Sequence, residues 1–303
     1  MNLPSLGRDD RPDAPWVVAS SEPWPGEVAV YSSLDGASWS FNALLGRRAM
    51  MGTTQNTLLP ATPGLWDRGL GLDVAFVSGA LASVDDVALF AGANAAVIGG
   101  PGRDWEIFQF RDAALISPDT WRLSMRLRGQ RGTEASMGSG WPAGSTVVIL
   151  DGSALQASVP TELRDVPIRY RVGPASKPVD HGAYVEFEHT TTALGLRPYA
   201  PVRLEAISDG VGGFDFYWLR RTRINGDSWA LPEVPLGEAS EAYQVRVKSQ
   251  GEVVREETVI APTWAYSATD IVSDGVTMPF EIEVAQISDL YGPGDIARIV
   301  ING

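Results

Sequence analysis

The chain has 303 residues, 37 Asp and Glu against 24 Lys and Arg, a formal net charge of −13 at pH 7, and no cysteine. The acidic balance disfavours nucleic-acid binding as the main task, because phosphate contact needs a basic face, and the missing cysteines exclude disulfides, thiolate nucleophiles and thiolate metal sites. No apolar run approaches the ~18 residues of a membrane-spanning helix, and the opening MNLPSLGRDDRPDAPW lacks the apolar region of a secretory signal. Gly and Pro, 32 and 21 in number, interrupt the chain so often that long capped helices are hard to place, and the expected class is all-β.

Residues 1–15 read as a polar, proline-bearing lead-in. Short strand-like runs at 16–19 and 27–31 surround the turn Pro23-Trp24-Pro25-Gly26, and Asp35-Gly36 marks another tight turn. An irregular crossing rich in Pro and Gly, residues 58–71, leads into Leu72, Val74 and Phe76, which alternate as a half-buried strand does. Residues 83–99 carry two signals. Ser83 and Asp86 have capping-box spacing, and Val84, Val87, Ala88 and Ala91 keep helical spacing. Gly92, Asn94 and the β-branched Val97-Ile98 oppose a helix, and the preferred reading is a hairpin: 87–91, a turn at 92–94, then 95–98. Strands are predicted at 105–110 and 121–125, followed by LRGQRGTE (127–134), a glycine-rich loop at 138–144, a buried run at 147–150, and strands at 168–172 and 184–188. A proline-bearing segment at 195–201 divides the chain into a β-rich domain, 1–197, and a second domain, 198–303.

The second domain is organised around GFDFYWLRRTRINGDSW, residues 213–229. Phe214, Phe216 and Trp218 alternate with Asp215, Tyr217 and Leu219, so three large rings share one face of a strand. Val202, Leu204 and Ala206 precede it as a first strand, and Asn225-Gly226 turns the chain after it. Tyr243, Val245 and Val247 form a third strand, 253–260 a fourth and 264–271 a fifth. Phe280, Ile282 and Val284 form a sixth, and Ala297, Ile299 and Ile301 a seventh. Seven short strands with frequent turns predict a β-sandwich. Trp218 on the second strand, YQVRV on the third, VAQIS on the sixth and GPGD before the seventh resemble a fibronectin type III domain, a family that serves as spacer or binding module. Phe280 stands where the family usually carries a tyrosine, which removes the hydroxyl of a tyrosine corner.

Candidate functional residues each have a plain competitor. Arg126, Arg128, Arg131 and Glu134 around Gly129 and Gly132 could clasp a partner's carboxylates bidentately; a glycine-turned loop whose arginines pair with local acids is the plainer reading. Arg220, Arg221 and Arg223 cannot form one patch on a strand, and edge protection against sheet-to-sheet aggregation explains them. Trp141 in its glycine-rich loop is the best of ten tryptophans for stacking on a sugar ring, against simple burial. His181 and His189 would need Glu186 or Glu188 to hold a metal, but residues 186, 188 and 189 do not share one strand face. Asp85-Asp86 are adjacent and do not converge as an acid–base pair. No P-loop, GxSxG or HExxH is present, so no catalytic, cofactor-binding or metal residue is assigned and no enzyme is expected.

A second resemblance spans most of residues 70–303. Residues 105–110, Asp112-Ala113-Ala114-Leu115-Ile116, Leu123-Ser124 and LRGQRGTE, with FDFYWLRRTR, YQVRV and VAQIS, are similar to the tail-tip hub proteins of siphophage-like particles, above all to the carboxy-terminal part of the baseplate "megatron" proteins of alphaproteobacterial gene transfer agents. The resemblance implies a fragment or truncated form that lacks the upstream hub region and the barrel domain typical of that family. It implies a non-catalytic virion component, assembled in the bacterial cytoplasm, that serves tail assembly, host attachment and DNA delivery. Its partners would be other tail and baseplate proteins, two further copies in a homotrimer, and a host cell-surface glycan, with no direct nucleic-acid contact and no transmembrane segment. The alternative is a carbohydrate-binding module of a surface or secreted glycoside hydrolase, to which the missing signal is an objection.

Overall fold

The computed structural model describes residues 1–100, 102–224, 226 and 233–302; Trp229, and Asn225 of the expected Asn225-Gly226 turn, lie outside the described residues. The chain divides into two units, Met1–Gly195 and Leu196–Gly303, and both are built almost entirely of antiparallel strands.

The first unit runs β1 (Trp16–Val17), β2 (Val28–Ser33), β3 (Ser40–Leu45), β4 (Met51–Thr54), β5 (Trp66–Asp67), β6 (Leu72–Phe76), α1 (Asp86–Phe90), β7 (Ala95–Gly99), β8 (Glu106–Ser117), β9 (Thr120–Gln130), β10 (Thr146–Ile149), β11 (Leu155–Gln156), β12 (Pro167–Pro174) and β13 (Val185–Thr190). β4 pairs with β6, β6 with β9, β9 with β8, β8 with β7, β7 with β10, and β10 with β4 again. Six strands therefore close into a barrel, a feature the sequence reading did not place in this chain. Alternation fills its interior: Leu72, Val74 and Phe76 from β6, Ala96 and Ile98 from β7, and Phe108 and Phe110 from β8 form one buried cluster with Leu123 and Val147. Val97, Ile107 and Val148 point the other way and are also buried, in a second cluster with Leu3 and Trp16.

The barrel begins and ends on neighbouring strands, with Met51 of β4 paired to Val148 of β10. The strands before it, β2 and β3, join the strands after it, β12 and β13, in one four-stranded sheet ordered β13-β12-β2-β3. Val28, Val30, Leu45, Ile168 and Tyr170 form the core of that sheet.

The hairpin expected at 87–98 is half right. Its second strand is β7, but its first is the helix α1. Asp85, not Ser83, caps the helix, its carboxylate accepting from Ala88 N at 2.7 Å. The Gln109 side chain donates to Leu89 O and Ala93 O, tying the helix and the turn after it to β8. These two contacts outweigh the weak propensity of Gly92 and Asn94, which only turn the chain afterwards, both at positive φ.

The second unit runs β14 (Val202–Ser208), β15 (Phe214–Leu219), β16 (Tyr243–Ser249), β17 (Glu252–Val259), β18 (Thr263–Tyr266), α2 (Ala268–Ser273), β19 (Phe280–Ser288) and β20 (Gly292–Ile301). Sheets ordered β14-β15-β18 and β17-β16-β19-β20 enclose one core, giving a seven-strand, fibronectin type III-like β-sandwich. Phe216 stacks on Trp264 at 5.6 Å, Trp264 on Tyr266 at 5.1 Å, and Trp218 meets Tyr243 edge-on at 5.2 Å. Phe280 fills the corner as a ring alone, edge-on to Phe214 at 6.0 Å and Tyr266 at 6.1 Å. The fifth strand stops at Tyr266, short of the expected 271, because Ser267 accepts from Asp270 N and caps α2.

The edge-protection reading of Arg220, Arg221 and Arg223 does not hold. β15 is the central strand of its sheet, and the three arginines lie past its end. Arg220 donates to Val234 O and Pro235 O, Arg223 pairs with Glu238 at 2.9 Å, and Arg221 lies over the Tyr199 ring at 4.9 Å. Two of the three tie down residues 234–238.

Candidate interaction site

LRGQRGTE is strand as far as Gln130, and its arginines turn inward. Within β9, Met125 adopts φ 51°, which breaks strict alternation, so Arg126 and Arg128 are buried as Leu123 is. Arg128 grips Glu106 bidentately, Nε to Oε1 at 2.6 Å and Nη2 to Oε2 at 2.8 Å, with both side chains fully buried. Glu106 also accepts from Gly129 N and, at 2.6 Å, from Trp141 Nε1. Arg128 Nη1 donates to Leu59 O, and Arg126 donates to Leu123 O, Leu70 O and Asp67. Burial raises the Asp67 carboxyl pKa, but the Gly69 N–H and the Arg126 charge outweigh it and hold the group below the usual carboxylate value.

This network satisfies itself, and the partner clasp is closed to Arg126 and Arg128. The arginines do pair with acids, but acids brought in from β5 and the start of β8. Arg131 alone stays exposed, donating to Ser5 O. Trp141 is no sugar platform either. Its backbone pairs with Leu58 in both directions, and its ring lies in the barrel core, 1% exposed.

The histidines do not meet. His181 Nδ1 accepts from Ala183 N, whereas His189 Nε2 lies 3.0 Å from Asn2 Oδ1. Burial, with a smaller push from the terminal ammonium, lowers the His189 pKa to about 4 and leaves the imidazole neutral at pH 7. Glu186 is engaged by Arg171 at 2.9 Å. Among the described residues no group of three His, Asp or Glu is arranged to hold a metal ion. Asp85 caps α1 and Asp86 faces Arg111 at 3.3 Å, so the pair serves two separate structural tasks.

The surface best suited to contact another molecule is one that sequence reasoning missed. On one face of the four-stranded sheet, Phe41, Tyr31, Arg171 and Glu186 stand in register across β3, β2, β12 and β13. Tyr31 meets Phe41 edge-on at 5.8 Å and Tyr184 at 6.0 Å, and the Arg171 guanidinium lies 4.3 Å over Trp39. Phe41 is 60% exposed. Gly173 makes room for this cluster: a Cβ there would sit 2.6 Å from the Tyr184 ring. Flat rings rimmed by ions suit a sugar face or an apolar side chain. The available signal was the alternation of Trp39 and Phe41 after the Asp35-Gly36 turn, opposite Tyr31.

Residues 49–148 match a family model described as "Rcc01698-like, C-terminal". The matched segment is the barrel, β4 to β10, about a third of the chain. No curated protein matches. Among solved structures, the rat CD45 extracellular region, domains d3-d4, is similar at 14% identity over 48% of this chain and 68% of that one, with a TM-score of 0.25, too low to bear on the fold described above. No helix among the described residues is long and apolar enough to cross a membrane.

Proposed function

We propose that this chain is a structural component of a phage-like tail tip, part of the baseplate hub of a gene transfer agent or siphophage-like particle. It serves there in tail assembly, host attachment and DNA delivery, and catalyses nothing itself. The observation that carries this reading is the match of the barrel to the Rcc01698-like family, on the same strands whose phrases, LRGQRGTE above all, resemble tail-tip hubs. The geometry agrees with a structural part: the buried charged groups Arg126, Arg128, Asp67 and Glu106 are spent on one another, and the six barrel strands are each paired on both sides, with only the two-residue β5 added as an edge on β9. The test is to delete the coding segment in a bacterium that makes the particles and image the tails. Tails that lose tip density and fail to transfer DNA are expected; intact tails with normal transfer overturn the reading. The resemblance further implies a homotrimer, so light scattering is expected to give three times the 32.5 kDa of one chain, and a monomer at micromolar concentration counts against it.

A carbohydrate-binding role is favoured by one observation, the ring cluster in which exposed Phe41 adjoins half-buried Tyr31 and Trp39. Glycan-array binding that Phe41→Ala abolishes while the fold is retained would support it, and binding unchanged by that substitution would exclude this face.

A further inference from the structure

β13 is the outermost strand of the four-stranded sheet, and among the described residues no strand pairs with its outer side. Residues 185–188 are all exposed. Such an edge offers unpaired backbone N–H and C=O groups to any extended chain that reaches it. The opposite edge, β3, is closed at Asn42, whose side chain exchanges hydrogen bonds with the Ser158 backbone. On β13 Asn2 closes only the far end, at Thr190 O and His189. The rows that cross the sheet stop at this strand. Val30, Val172 and Val185 share one row, and in the next row of that face Phe187 stacks on Tyr170 at 5.8 Å. Val185 is 65% exposed and Phe187 43%. Phe187 and His189 also border an apolar groove of about 210 Å³, lined by Trp16, Val17, Trp105 and Val148. The Met1 amine, in the same wall, is spent on Trp16 O at 2.7 Å. On the other face Glu186 is taken by Arg171 at 2.9 Å, but Glu188, in register with Arg169, forms no ion pair among the described residues.

We propose that the β13 edge takes up an extended segment of another protein as a fifth strand, and that basic residues alternate with apolar ones along that segment. Backbone bonds to the edge would supply affinity, and the rows would supply specificity. Residues directly opposite one another across a sheet attract when oppositely charged and repel when alike. The position facing Glu188 therefore calls for Lys or Arg. The position facing Phe187 calls for an apolar side chain, which would lie against the groove as well. Period two carries both demands along the segment. The net charge of −13 favours the approach of a basic segment. A second copy of the same strand is disfavoured, because antiparallel pairing about Phe187 sets Glu186 opposite Glu188 twice. The site stands apart from the tail-tip reading and holds whether or not that reading does.

The test is a titration of the whole chain with a short peptide, blocked at both ends, in which Lys alternates with Val. The same peptide with Glu for every Lys, and one with a central Pro, serve as controls. Amide resonances are followed by NMR. Saturable binding of the Lys–Val peptide is expected, with the largest shifts at residues 185–190. Its affinity should exceed that of the Glu–Val peptide at least tenfold, and the central Pro should abolish binding by breaking the strand. Glu188→Lys, a change at an exposed side chain, is expected to reverse the preference between the two peptides. That variant still carries a net charge of −11, one negative charge having been exchanged for a positive one in the parent's −13, so overall attraction for basic peptides does not account for a reversal. Should Glu188→Lys fail to fold, Glu188→Gln is expected to reduce the preference at least threefold. Absence of saturation, shifts centred away from β13, or a preference unchanged in a folded Glu188 variant would each overturn the proposal. Shifts at residues 185–190 that grow with protein concentration in the absence of peptide would overturn it too, by assigning the edge to a second copy.

Discussion

In the first unit one network of paired ions, Arg126 and Arg128 with Asp67 and Glu106, is among the most buried groups in the molecule, whereas the most highly connected ion of the second, Arg255, sits at the margin of an aromatic core. Arg128 and Glu106 have no exposed surface. Arg255, which holds Asp274 at 2.6 Å, Glu257 at 2.6 Å and Asp270 at 2.9 Å, keeps 23% of its side chain in contact with solvent. The geometry of the pairs is alike, but the surroundings are not. Charges taken out of water repay their desolvation only while every partner is present, and half-solvated ones are cushioned by water and salt. The barrel should therefore be brittle towards loss of one ion, and the sandwich tolerant.

The largest expected effect breaks the buried pair. Glu106→Ala leaves the Arg128 charge and the Trp141 N–H without their acceptor and should cost about 3–5 kcal/mol, read as a fall in the denaturant midpoint of the first unit by hydrogen exchange. The double variant Glu106→Gln with Arg128→Met keeps an acceptor for Trp141 and removes the stranded charge, and should recover much of that loss; if it is as unstable as the sum of its parts, the network is not the cause. In the sandwich, Phe280→Tyr tests whether the family's missing hydroxyl has a place here. With rings on the sides that Phe214 and Tyr266 cover, the new hydroxyl should cost about 1–3 kcal/mol, and stabilisation would show that a corner hydrogen bond forms after all. Arg255→Gln should cost about 1 kcal/mol or less, with the difference from the parent shrinking in high salt.

The smallest effect at neutral pH is the titration that separates the units. His189 is held at about 4 in the fold against ~6.5 when free. Between those values the unfolded chain binds a proton that the folded one does not, so the first unit loses stability as pH falls through that window. Asp274, lowered chiefly by its bond from Arg255, and Asp270, lowered by Ser267 and Arg255, contribute stability that is lost only below the usual carboxylate range near ~4. Thermal melts from pH 7 to pH 3 should show the first unit softening before the second; simultaneous loss would remove His189 from the account.

Alternation made the sandwich legible: Phe214, Phe216 and Trp218, then Tyr243, Val245 and Val247, face the core as period two requires. Half of the barrel could be read the same way, from Leu72, Val74 and Phe76. Its closure could not, because the pairing of β8 with β9 and of β4 with β10 depends on partners that no local pattern names. Arg126 and Arg128 were unreadable for a related reason. An arginine run beside glycines reads as surface until a left-handed residue at Met125 turns it inward and a glutamate some twenty residues earlier meets it. For Trp141 simple burial was the plainer reading and it holds; what the glycine-rich loop could not show is that Glu106 accepts from its indole nitrogen. The ring cluster at Tyr31, Trp39 and Phe41 needed four strands in register before it became a face.

Because Met51 and Val148 lie side by side, the hundred or so residues between them form a cassette whose two ends meet. Its adjacent ends would let such a segment be excised behind a short linker or carried into a foreign loop without stretching the backbone, although Leu3 and Trp16, which cover Val97, Ile107 and Val148, would have to be replaced. Exchange among otherwise unrelated chains is the kind of history this architecture permits, and it would leave the trace found here, a family match that starts and stops with the barrel.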